Sequence, residues 1–130
     1  MKVFFFHSDR PICELFRREL EHLNELSTGG KVSFEVLDSL RGSFQRIVEE
    51  SQDNQVLVVT GTKDAQDQLA EPVLLAMNDA SSKIRIWLYT GTPREQWRSR
   101  AVIDEYLEMP DMLARQVAEK VFNYVRVVPA

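Results

Sequence analysis

Five apolar runs in this sequence end in side chains able to hold an ion, move a proton or attack a carbonyl or phosphoryl centre. His7, Ser8 and Asp9 follow "KVFFF", and Ser39 follows "VSFEVLD". Thr60 to Thr62 follow "QVLVV", Thr90 to Thr92 follow "IRIWLY", and Met109 and Pro110 follow "EYLE". Hard cations take oxygen ligands, and Mg²⁺ normally needs at least one or two carboxylates. Asp9 is the only clear carboxylate among these residues, a poor metal cage, so neither a metal nor a cofactor is expected. His7 beside Ser8 invites a nucleophile–base reading. Adjacent residues at a strand end point in opposite directions, however, and a polar strand terminus that caps a helix is the stronger account.

Other constellations fail on context. Cys13 with Arg17 and Arg18 suggests a thiolate phosphatase, but the cysteine lies within a helical pattern, where a packed structural thiol is expected. "GTKDA", 61–65, has the look of a guanine-recognition loop, yet the chain has no GxxxxGK[ST] phosphate loop. No Gly-rich dinucleotide fingerprint follows the first strand. His22 is isolated and expected to face solvent. "PREQWRSRA" sets Arg94, Arg98 and Arg100 around Trp97, a partner surface if exposed and otherwise a solvated helix face.

Strands must carry those clusters. Lys2–Phe6 is a continuous apolar run of strand length, and Ile12, Leu15, Phe16, Leu20 and Leu23 then form a helical stripe. Ser8 or Asp9 is placed to cap that helix, with Pro11 in its first turn. Val32–Leu37 reads as a second strand nearer an edge, and Leu40, Phe44, Ile47 and Val48 as a second helix. Gln55–Thr60 has the uninterrupted character of a parallel strand covered on both faces. Leu69, Val73, Leu74 and Met77 mark a third helix, and Ile84–Thr90 a fourth strand. A short helix is expected from Pro93 to about Val102, then a strand at "EYLEM", then a closing helix through Leu113, Val117, Val121 and Val125. The alternation predicts an α/β three-layer sandwich with five helices and a five-stranded parallel sheet, in the flavodoxin-like order 2-1-3-4-5. Ligands of such sheets bind outside the carboxyl ends of the strands, where the polar clusters fall.

Length and composition suit one soluble domain. The chain has 130 residues, 44% hydrophobic and 28% charged, and a net charge of −4 with both signs interspersed. That balance argues against broad nucleic-acid or membrane-surface binding. No apolar run is long enough for a membrane span, and the start lacks the features of a signal peptide. A single cysteine points to a reducing, cytoplasmic setting.

From Lys2 to Arg126 the chain resembles the receiver (CheY-like) domain of bacterial two-component response regulators. "KVFFFHSDRPICELF" matches the first strand, acidic pair and first helix, "QVLVVT" the third strand and "IRIWLYTG" the fourth. "DEYLEMPD" matches the tyrosine-x-x-lysine-proline ending. The resemblance implies a site that takes a phosphoryl group on an aspartate. In this sequence the acidic pair falls on His7 and Ser8, or on Ser8 and Asp9, the acceptor on Thr60 and the lysine on Met109. Thr90 keeps the strand-4 hydroxyl, Tyr106 the switch aromatic, and Pro110 the closing proline. An unactivated threonine is no substitute nucleophile.

The resemblance therefore implies a pseudo-receiver over residues 1–126, with 127–130 a tail or linker start. It is expected to be a non-enzymatic signalling module at the N-terminal end of a larger regulator, read by its own output domain or a protein partner. A homodimer through the face of the fourth helix, fifth strand and fifth helix is a further expectation, with Arg94, Trp97, Arg98, Arg100 and Tyr106 as contacts. Two alternatives stand beside it. One is a small α/β domain that binds or transforms a polar ligand through Asp9, Thr60, Thr62 and Thr90. The other is a receiver modified at an unusual site.

Overall fold

The computed structural model describes residues 1–91, 102–109 and 112–127. In order, the elements are β1 (Lys2–Phe6), α1 (Arg10–Leu26), β2 (Ser33–Val36), α2 (Leu40–Asp53), β3 (Val56–Thr60), a 3₁₀ turn (Ala65–Asp67), α3 (Glu71–Ala80), β4 (Ile84–Thr90), β5 (Glu105–Glu108) and α4 (Ala114–Val127). Every strand pair is parallel and the order is β2-β1-β3-β4-β5, the topology expected from the sequence. Among the described residues there are four α-helices and a 3₁₀ turn, not five helices. The helix expected from Pro93 to about Val102 lies outside the described residues apart from its last position, because 92–101 are not described.

The sheet separates two cores because side chains alternate along each strand. Val3 and Phe5 of β1, Leu57 and Val59 of β3, and Trp87 and Tyr89 of β4 face α1 and α4. Phe4 and Phe6, Val56 and Val58, and Ile84, Ile86 and Leu88 face α2 and α3. β3 lies at the centre and all five of its residues are buried. β2 lies at an edge and is only partly covered, as its more polar sequence requires. Phe16 of α1 stacks on Phe5 with ring centroids 3.9 Å apart and planes 9° from parallel.

Three apolar residues assigned inward sit elsewhere. Leu15 is 52% exposed, and Cys13 takes a place on the buried stripe with Ile12, Phe16 and Leu20. The Cys13 thiol donates to the His7 carbonyl at 3.3 Å, which lets a small polarisable group fill the tight approach of α1 to β1. Leu69 and Leu113 each precede a helix rather than joining its stripe, and both are largely exposed.

Side chains fix the crossovers. Ser39 caps α2 by accepting from the Gly42 amide at 3.0 Å. Asn24 clamps the chain as it enters β2. Its amide nitrogen donates to the Val32 carbonyl at 3.0 Å, and its oxygen accepts from the Val32 amide at 2.8 Å. No described helix is long and apolar enough to cross a membrane.

Candidate functional site

Alternation carries the predicted site residues to opposite faces of the sheet. Thr60 pairs with Phe6 and falls on the α2/α3 side, as does Thr90. His7 continues the Val3 and Phe5 series on the α1/α4 side, and Met109 packs against that same core. The six positions read as one crevice are thus divided by the strands themselves.

On the α1/α4 side His7 acts as a plug. Its side chain is buried, with its ring centroid 5.7 Å from that of Tyr89. Nδ1 accepts from the Asp9 amide at 3.1 Å, which holds that nitrogen deprotonated and leaves Nε2 to carry the hydrogen. Burial pushes the imidazole pKa down, opposed by the nearby Asp9 charge and a hydrogen bond to the Tyr89 carbonyl. Gly61 lies against this ring. A Cβ placed there would lie 3.1 Å from Nε2 and 3.2 Å from Cδ2. Burial likewise raises the Cys13 thiol and the Tyr89 phenol above their ordinary values.

Asp9 is the N-cap residue of α1, yet its side chain makes no capping bond. Its carbonyl instead accepts from Ile12 at 3.1 Å, and its amide is taken by His7. The expected side-chain cap is absent because the loop is organised by the imidazole. Ser8 is exposed.

On the opposite face Thr60 is fully buried, its hydroxyl donating to the Gly61 carbonyl at 3.1 Å. Thr90 is also buried, and its carbonyl accepts from the Met109 amide at 3.0 Å. Tyr106, opposite Leu88 on β5, packs against the α2/α3 core. Thr62 accepts from the Ala70 amide through its carbonyl at 2.9 Å, a loop-closing role.

The sequence reading missed the principal carboxylate. Asp64 is 1% exposed, and its side chain accepts from the backbone amides of Leu40 (2.7 Å), Arg41 (3.0 Å) and Ala65 (2.7 Å). Leu40 and Arg41 open α2, so a carboxylate from the β3–α3 loop occupies a helix N-terminus, where the dipole favours negative charge. Arg41 Nε lies 3.9 Å from the same carboxylate. The local signal was an aspartate opening a short turn in "GTKDA"; its hold on a helix start 24 residues away left no trace in the pattern.

Beside Asp64 a cavity of about 420 Å³ opens among Ser8, Arg10, Asp38, Asp64, Gln66 and Asp67. Arg10 and Asp38 pair across it at 3.3 Å. Gln66 and Asp67 both have left-handed backbone, with φ of 62° and 58°. Asp9 is therefore not the sole carboxylate at this end of the sheet. Among the described residues no three His, Cys, Asp or Glu side chains gather closely enough to hold a metal ion. Arg94, Trp97, Arg98, Arg100 and Pro110 lie outside the described residues.

No protein-family model matches the sequence, and no curated protein matches it. Solved structures do. A response regulator receiver domain protein from Clostridium thermocellum superposes with a TM-score of 0.69 at 14% identity, over 97% of each chain. The receiver domain of the hybrid histidine kinase CckA gives 0.64 at 10% identity, covering 93% of this chain and 95% of that one. The anti-anti-sigma factor PhyR from Bartonella quintana gives 0.58 at 12% identity, covering 96% of this chain and 49% of that one. At such identities the likeness speaks to architecture, and the architecture of this chain is the flavodoxin-like fold of response-regulator receiver domains.

Proposed function

We propose that this chain is a signal-transduction module that acts by protein contact and without phosphoryl transfer. The observation that carries the reading is Thr60, which stands at the end of the central strand, fully buried, with its hydroxyl given to its own neighbour's carbonyl. Among the described residues, the position matching the receiver lysine is Met109, which brings no cation to it. His7 is held neutral by burial and Met109 carries no charge. Asp64 is no replacement acceptor, because its carboxylate is enclosed and engaged by three backbone amides. The proposed setting is cytoplasmic, with the face that includes β5, Tyr106 and α4 presented to an output domain or a protein partner.

Intact-mass measurement after incubation with acetyl phosphate and Mg²⁺ tests the proposal. The mass should not change. A stable phosphoryl adduct on any residue at the strand ends would overturn it.

A second reading, a site for a small polar molecule, is favoured by the cavity beside Asp64 and the paired left-handed residues at its edge. Its contacts would be Ser8, Arg10 and Asp38, in place of the Thr60, Thr62 and Thr90 set expected from the sequence. Thermal-shift screening against polar metabolites, repeated on Arg10→Ala, separates it from the first reading.

A further inference from the structure

We propose that His7 and the β1–α1 loop form an acid-sensitive switch, in which a proton on the imidazole exchanges its Asp9 amide partner for the Asp9 carboxylate and shifts the loop. The proposal goes beyond the signalling reading and does not depend on it. With Nδ1 accepting from the Asp9 amide at 3.1 Å, the ring fits this place only in its neutral form. A proton taken from solvent at Nδ1 turns that nitrogen into a donor, and two N–H groups then point at each other. The ring has little room to turn away. It is buried and tilted against Tyr89, with centroids 5.7 Å apart, and a Cβ at Gly61 would lie 3.1 Å from Nε2. The exposed loop must give instead.

Asp9 supplies the alternative partner. It stands at the N-cap of α1, exposed, and its side chain makes no capping bond. An ionised carboxylate two residues from the ring can accept the new Nδ1–H in a charge-assisted bond, stronger than the neutral one it replaces. Titratable and charged groups face His7 from the neighbouring elements as well. α1 brings Arg10 and Cys13, whose thiol donates to the His7 carbonyl at 3.3 Å, and β4 brings Tyr89. Asp38, Asp64 and Asp67 stand around the cavity that His7 lines. Asp38 is paired with Arg10, and Asp64 is held by three backbone amides. Arg115 of α4 lines a groove with Tyr89, while Gly61 and Met109 bring no charge. The Asp9 carbonyl accepts from the Ile12 and Cys13 amides at 3.1 and 3.4 Å, so movement at Asp9 reaches the first turn of α1. Ser8 and Arg10, which line the cavity beside Asp64, move with it.

Burial keeps the ring neutral above about pH 6.5, so the switch acts on the acid side. Proton–nitrogen NMR of the full chain from about pH 7.5 to pH 4.5 tests it, with circular dichroism confirming the fold at each point. The His7 ring nitrogens should titrate in one step. The Asp9 amide proton should shift upfield with the same midpoint, as it loses its acceptor, and the Ser8 and Arg10 amides should shift with it. His7→Gln should abolish that transition. Asp9→Asn keeps the amide and removes the carboxylate, so the ring's midpoint should fall by at least about half a pH unit. Should His7→Gln misfold, Asp9→Asn decides alone, since its side chain caps nothing. An Asp9 amide that stays in place while the ring titrates overturns the proposal. So does a ring that stays neutral until the fold is lost, or an Asp9→Asn midpoint equal to that of the wild type.

Discussion

His7 and Gly61 share one small space beside Tyr89, and both groups are constrained by it. The imidazole is disfavoured as a cation there, so its folded pKa lies below its ordinary value. Between the folded value and about 6.5, the unfolded chain binds more proton than the folded one. The stability tied to neutral His7 is therefore full above about pH 6.5 and is lost as pH falls from there through the folded value, by no more than ~1.4 kcal/mol per unit. Urea midpoints measured from about pH 5 to pH 7.5 should fall toward acid more steeply in the wild type than in His7→Gln. Equal slopes would remove His7 from the account. A methyl group at position 61 meets the same ring, so Gly61→Ala should cost about 1–2 kcal/mol, and much of that cost should vanish in a His7→Ala background. Additive costs in the double-mutant cycle would mean that the strain lies in the backbone instead.

At the scale of elements, Asp64 is the principal tie between the β3–α3 loop and α2, with a longer bond from the Arg41 guanidinium to the Leu69 carbonyl at 3.5 Å beside it. Asp64→Ala leaves the first amides of α2 without their acceptor in a buried place, and the expected loss is about 2–3 kcal/mol in urea unfolding. Asp64→Asn keeps one acceptor oxygen and should lose clearly less. If the two variants were equally stable, the carboxylate would not be what holds the loop. The elements themselves were legible in the sequence: the run from Val56 to Thr60 announced a strand buried on both faces, and the spacing of Phe16 and Leu20 announced the inward face of α1. What stayed illegible depended on contacts between distant segments. Leu15 fits the helical period as well as Cys13 does, and only the approach of α1 to β1 decides between them. Likewise, Thr60 and His7 follow strands that lie side by side, yet the pleat sends them to different faces of the sheet. Asp64 was passed over because its partners belong to another helix.

The whole molecule is a sheet with two insulated cores, and its receiver-like positions are divided between them. Thr90 and Tyr106 share the α2/α3 side, while His7 and Met109 belong to the other. The side chains of the two sets face opposite sides of the sheet and no phosphoryl acceptor joins them, so Tyr106 is expected to keep one arrangement unless a partner binds over it. Adding Mg²⁺ with a phosphate mimic such as beryllofluoride should leave the amide resonances of Thr60, Thr90 and Tyr106 in place. Concerted shifts at all three would reveal a working phosphate switch. The partner surface expected from the sequence, whose Trp97 and Arg98 lie outside the described residues, can be probed with Trp97→Ala/Arg98→Ala, which should weaken partner capture severalfold with circular dichroism unchanged. Capture that is unaffected in the folded variant would move the partner to another surface.

The two hydrogen bonds between Asn24 and Val32 treat a side-chain amide as a substitute strand neighbour. They close the chain on itself at the foot of the first crossover, so 27–31 leave and re-enter at two fixed points. A Cβ added at Gly30 in that span would meet no atom within 4 Å. Lengthening a closed loop adds little entropic penalty, because the cost grows only with the logarithm of its length. The "STGGK" span is thus a natural socket at Gly30: a fluorophore, an epitope or a short reporter domain has room there, whereas one position earlier, at Gly29, an added Cβ would lie 3.1 Å from the Arg126 guanidinium.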